Sequence, residues 1–233
     1  MKRTLLTAGI IALLASTAAF GQYPANGYIG VYDDAAGTDC CIDALLFTPK
    51  TAYVIANLAG ETAGGLTGVE FRLELSADPT GNYIISFAAS PTAAAVVGTN
   101  LIDITPGSTS DDPKGLNIAW ATCQNSDPSA GAGRVLLGTL SIIQTNAAAP
   151  PLTILSKRRS PANAIAYDCP LIVLCDDPNF TIWCLTVGNE DPILEGNEAI
   201  SFRSFLNTPG CNGDCGPVAV TPTTWSTLKD LFR

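Results

Sequence analysis

Residues 64–75 read Gly-Gly-Leu-Thr-Gly-Val-Glu-Phe-Arg-Leu-Glu-Leu, and from Val69 onward apolar and charged side chains alternate without a break. Successive side chains of a strand leave on opposite faces. Val69, Phe71, Leu73 and Leu75 therefore share one side, and Glu70, Arg72 and Glu74 share the other. The spacing predicts a half-buried β-strand whose apolar side lies on a core. The charged side is expected to be a solvated face with mutual charge compensation, as on any sheet with one wet side; the alternative is that these three residues bind something.

Around this stretch, short segments rich in β-branched and aromatic residues recur between Gly, Pro and Asp turns. They fall at 28–32, 51–58, 83–87, 101–104, 116–120, 133–143, 152–155, 171–175, 181–187 and 199–202. Strands at this spacing, almost without helical periodicity, predict an all-β fold: an antiparallel β-sandwich of about ten strands. A parallel sheet would need crossover helices, and the pattern offers none.

The ends read differently. Met1-Lys-Arg-Thr, an apolar run from Leu5 to Phe20 and small residues around Ala18 to Gly21 describe an export signal over 1–21. The apolar run is shorter than the roughly 20 residues of a spanning helix. Residues 22–206 are expected to form the sandwich, and 207–222 a Pro-, Gly- and Asn-rich linker. Residues 223–233 are expected to form a short amphipathic helix capped by a Thr, with Trp225, Leu228 and Phe232 on one face. That face is a candidate docking surface for a partner, or a sorting tail.

The chain holds 12 basic and 21 acidic residues, a formal net charge of −9. Such a balance disfavours nucleic acid and anionic membrane surfaces as partners. Histidine is absent altogether, which removes Ser-His-Asp and Cys-His catalysis and His-ligated zinc. The eight cysteines behind an export signal predict disulfides, although eight allow 105 connectivities. Short spacing favours Cys211 with Cys215 and, across a hairpin, Cys175 with Cys184. Adjacent Cys40 and Cys41 need separate partners, for which Cys123 and Cys169 are the candidates.

Three kinds of site merit weighing. Paired carboxylates are the machinery of glycoside hydrolysis, and Glu70 with Glu74 is the pair that shares a face. Calcium takes clustered oxygen ligands; Asp33, Asp34 and Asp39 form a loose acidic group for which a solvated loop is the simpler reading. The Asn212-Gly-Asp stretch does not fit a helix–loop–helix calcium loop, because its terminal ligands and glycine are missing. Tyr23, Tyr28 and Tyr32 could present a sugar-stacking strip, whereas Trp120 and Trp183 sit in strands and suit a core.

Gly65, Gly68, Phe71, Leu73, Asp78 and Pro79, together with the 133–143 strand, resemble cohesin-type and related carbohydrate-binding sandwiches. That resemblance implies a binding module; the cysteines depart from its pattern. The segments 28–40, 169–175 and 224–232 are similar to those of a group of uncharacterised exported bacterial proteins, which implies export and the same architecture. The chain is therefore expected to be a secreted, non-catalytic protein mediating extracellular protein or cell-surface association, self-association included. The alternative is a carbohydrate-binding module, with calcium as a possible cofactor, and the third reading is a carboxylate-based glycoside hydrolase.

Overall fold

The computed structural model describes residues 27–98, 101–103, 114–125, 133–157, 169–175, 181–185 and 203–211. The expected signal, the 199–202 strand and the C-terminal helix lie outside the described residues. Thirteen strands appear among those described: β1 (Gly27–Tyr32), β2 (Cys41–Ile42), β3 (Lys50–Leu58), β4 (Leu66–Leu75), β5 (Tyr83–Ala89), β6 (Ala95–Val97), β7 (Ile102–Asp103), β8 (Leu116–Gln124), β9 (Arg134–Gln144), β10 (Leu152–Lys157), β11 (Leu171–Leu174), β12 (Ile182–Cys184) and β13 (Arg203–Leu206).

They build two sheets. One has four strands in the order β1-β3-β9-β5. The other has nine, with β12-β11-β4-β10-β13-β2 in line and β6, β7 and β8 attached through β4 and β8. Pairing is antiparallel except for two short parallel contacts, β13 with β2 and β4 with β7. The quoted strand, β4, is the axis of the larger sheet. Along one edge it pairs with β8 and then β7, and along the other with β11 and then β10.

The core lies between the sheets and answers the period of two. From β4 it takes Val69, Phe71, Leu73 and Leu75; from the facing sheet it takes Ile29, Val31, Val54, Leu137 and Ile142. Trp120 is buried in it and its indole Nε1–H donates to Thr92 Oγ1 at 3.2 Å. Trp183 packs half-buried against the same core. Two short strands, β2 and β6, were not expected from the sequence, and β13 follows directly on the expected 199–202 segment.

The disulfides correct the pairing inferred from spacing. Cys41 joins Cys211, Cys123 joins Cys175, and Cys169 joins Cys184. Cys40 is also disulfide-bonded, and Cys215 lies outside the described residues. Tertiary proximity explains the change. Leu171 pairs with Cys184 across the β11–β12 ladder, which carries Cys169 to Cys184. β13 runs beside β2, which carries Cys211 to Cys41. These two bridges thus close contacts between paired strands, while Cys123–Cys175 joins the ends of β8 and β11, which flank β4 on opposite edges.

Candidate protein-docking site

The charged face of β4 is the first sequence candidate, and it is closed. Glu74 is only 6% exposed and Lys157 only 8%. Lys157 lies opposite Arg72 in the β10–β4 ladder, so two cations sit side by side. Glu74, two residues along, receives both: Arg72 Nη2 reaches its Oε2 at 3.2 Å, and Lys157 Nζ reaches its Oε1 at 2.9 Å. The expected solvated face is therefore a buried ionic cluster at Arg72 and Glu74. A carboxylate clamped by two cations in a covered position has neither the freedom nor the access of a glycosidase acid or nucleophile. Glu70 is half-buried and borders a small pocket of about 280 Å³ with Asn117 and Ile182, so this face does not offer two open carboxylates.

The acidic loop is likewise committed to neighbours within the fold. Asp33 pairs with Lys50 Nζ at 2.6 Å. Asp34 accepts hydrogen bonds from the Thr38 hydroxyl (2.9 Å) and the Asp39 N–H (2.7 Å), and Asp39 accepts from the Cys41 N–H (2.9 Å). Slight burial opposes ionisation of Asp34, but the donors from Thr38, Asp39 and Ala36 outweigh it and hold the carboxyl below its ordinary range. The three carboxylates thus serve a turn, and among the described residues no cluster of metal-ligating side chains forms.

That turn also disposes of the tyrosine strip. Tyr28 and Tyr32 do share the outer face of the four-stranded sheet, since β1 pairs residue for residue with β3. Yet Tyr32 is buried, in a small cluster with Cys40 and Ile55 against which Tyr28 and Tyr53 pack. Its ring lies over Gly30, where any β-carbon would collide with it. Asn57 Nδ2 donates to its hydroxyl at 2.8 Å, and Arg134 reaches over the same face to the Ala36 carbonyl. Burial, reinforced by Tyr28, pushes the Tyr32 phenol far above its ordinary range. A stacking platform needs open rings, and this one is roofed. Tyr23 lies outside the described residues.

One feature had not been singled out in the sequence. Between β2 and β3 the chain runs Leu45-Leu46-Phe47, and these residues are 66%, 42% and 70% exposed. The loop is nonetheless fixed. Asn207 grips Ala44 from both sides: its Oδ1 accepts from the Ala44 N–H at 2.7 Å and its Nδ2 donates to the Ala44 carbonyl at 3.1 Å. Phe47 N–H donates to the Gln144 carbonyl at 2.8 Å, and the Cys41–Cys211 disulfide sits just upstream. Phe47 and Asn207 have φ of 54° and 50°, the left-handed region that side chains other than Gly, Asn and Asp enter at a cost. Asn207 is suited to it and Phe47 is not. The sequence signal was present, three large apolar residues with no polar alternation, but such a run reads equally as a buried strand.

The remaining sequence candidates, Trp225, Leu228 and Phe232, lie outside the described residues. Among those described, no helix is long and apolar enough to cross a membrane.

No family model matches the chain, and no curated protein matches it. Distant likenesses exist among solved structures. A cohesin module from a family 33 glycoside hydrolase of Clostridium perfringens aligns over 71% of this chain and 94% of its own, with a TM-score of 0.43 and 10% identity. The sixth cohesin of scaffoldin B from Acetivibrio cellulolyticus, solved in complex with a Cel5 dockerin mutant, aligns over 67% of this chain and 90% of its own, with a TM-score of 0.35 and 12% identity. AvmM, which catalyses macrocyclization in alchivemycin A biosynthesis, covers 66% of this chain and 91% of its own, with a TM-score of 0.28 and 13% identity. The neighbours thus include binding modules and an enzyme.

Proposed function

We propose that this protein is an exported, non-catalytic binding module that associates with another protein through the Leu45–Phe47 loop. The observation that carries the reading is the exposure of three consecutive large apolar side chains on a backbone held in place by Asn207, Gln144 and a disulfide. A fold that needed Phe47 only for itself would bury the ring or place a glycine at φ 54°. Strain kept at an exposed position is the mark of a functional constraint. Apolar anchors fixed before contact lose little entropy on binding, which is how a small patch acquires affinity. Disulfides persist where thiols are oxidised, which supports a location outside the cytosol, in line with a signal over 1–21.

The other readings lack such a feature. Glycan binding would draw on Tyr32, which is buried, and hydrolysis on Glu74, which is locked between cations.

A photoactivatable side chain placed at position 47, and separately at exposed Ser141 on the outer face of the four-stranded sheet, tests the reading in the organism that makes the protein. A discrete adduct at position 47, absent at 141 and abolished by Leu45→Ser, is the expected result. Equal labelling from both positions, or an adduct that survives Leu45→Ser, would remove the loop from the function.

A further inference from the structure

The two edges of the four-stranded sheet are treated differently. At the β1 edge, side chains from the larger sheet close the backbone. Ser156 Oγ–H donates to the Ile29 carbonyl at 2.6 Å, and the Val31 N–H donates to Ser204 Oγ at 3.0 Å. At β5, the other edge, no such cap exists among the described residues. The Ser90 N–H donates to the Leu137 carbonyl and the Thr145 N–H to the Asn82 carbonyl. With the β5–β9 register, hydrogen-bonded positions recur every second residue, so 84, 86 and 88 face β9. The N–H and C=O groups of Ile85 and Phe87 therefore point away from the sheet.

Proteins usually blunt such an edge with a charge, a proline or a bulge. β5 has none: residues 79–102 contain no charged side chain in a chain of net charge −9. Beside β5 lies a cleft of about 870 Å³ whose walls include Ile85, Phe87, Val96, Leu101 and Leu116. Its rim carries exposed Ile84 and Val96.

We propose that β5 is a self-pairing edge, through which two copies of the chain join antiparallel about a two-fold axis at Ser86. Three features select a second copy as the occupant. The register is self-complementary: an axis at Ser86 sets the outward groups of Ile85 against those of Phe87 in the other copy, and the reverse, giving a closed four-bond ladder. The charge is compatible, because an acidic chain repels its own copy elsewhere but meets no charge along this seam. The apolar rim supplies the buried area that a short ladder alone lacks. Paired residues point to the same face of a sheet, so Ile85 and Phe87 of each copy extend the apolar wall of the other's cleft. The result is a continuous eight-stranded sheet across the dimer, with neither β5 left as an edge.

Ser86 is exposed on the outer face and would face its own copy as a non-hydrogen-bonded pair, the closest kind. Sedimentation equilibrium of the intact, disulfide-bonded protein is therefore expected to show a reversible dimer. Ser86→Glu and Ser86→Lys should each weaken it by about ten-fold or more, since like charges are set face to face. Mixing the two variants should restore the dimer. Wild type that stays monomeric throughout the concentration series would overturn the proposal, and so would a dimer that Ser86→Glu leaves as tight. A strand from a different protein as the natural occupant of β5 would give the first of these results.

Discussion

The outer face of β4 and the loop between β2 and β3 exchange the places that hydropathy assigns them. Glu74 of β4 and Lys157 of the adjoining β10 are charged and buried, with Arg72 half-buried beside them. In the loop, Leu45, Leu46 and Phe47 are apolar and exposed. The difference teaches that alternation fixes which residues share a face, while topology decides what lies over that face. β4 is the centre of a nine-stranded sheet with partners along both edges, and β10 sets Lys157 beside Arg72 and Glu74. These charges therefore neutralise one another where Glu74 and Lys157 are buried. The loop leaves a two-residue strand and is clamped from behind by Asn207, so its apolar side chains face outward.

The comparison breaks first at Glu74. Glu74→Ala leaves two cations buried together, and chemical denaturation is expected to show a loss of about 3–5 kcal/mol. Replacing the cluster together, with Glu74→Leu, Arg72→Leu and Lys157→Met, should recover most of that loss, because apolar groups of similar volume commonly match a buried ion pair. A solvated face, as the sequence alone suggested, would give less than about 1 kcal/mol for Glu74→Ala.

Much of the sandwich was legible in advance, for a physical reason. Val69, Phe71, Leu73 and Leu75 carry the period of two that only a strand can bury on one side, and β1, β3, β5 and β9 are runs of β-branched and aromatic residues between turn signals. Strands β2 and β6 escaped notice because two or three residues establish no period, and Ala95–Val97 follows a run of alanine. The disulfides were misread because spacing along the chain is a poor guide once β13 lies beside β2. Glu74 was misread because one strand cannot reveal that Lys157 will lie diagonally across from it. Of the site, Asp33, Asp34 and Asp39 read in the sequence as a solvated loop or a loose calcium cluster. Their hydrogen bonds within a turn depend on a backbone course that composition does not show, whereas Leu45–Phe47 reads as an apolar run like those that become core.

Asn207 is the next lever. It is the support of the loop, and Asn207→Ala removes both hydrogen bonds to Ala44. A loss of about 1–2 kcal/mol is expected in denaturant titrations, together with faster amide exchange across Ala44 to Phe47. Exchange confined elsewhere would show that the loop is held by other means.

A smaller effect is expected at Asp34, which organises the turn over Tyr32. Its folded pKa lies below its ordinary value. Its contribution is therefore complete above the ordinary carboxylate range and fades as pH falls through the lowered folded value. Asp34→Ala should cost a few tenths of a kcal/mol at neutral pH, the solvent-screened scale of an exposed turn, and the gap to wild type should close in acid. A gap that widens in acid would contradict the assignment.

The central claim, that Phe47 serves a partner and not the fold, is tested most directly by the stability of Phe47→Asn. Asparagine accepts a left-handed backbone and carries no apolar ring. The account predicts a free energy of unfolding equal to that of wild type or higher by up to about 1 kcal/mol, the relief of backbone strain outweighing the loss of an exposed ring. A loss of about 2 kcal/mol or more, the scale of a buried aromatic, would show that Phe47 packs against the sandwich and that the loop is structure alone.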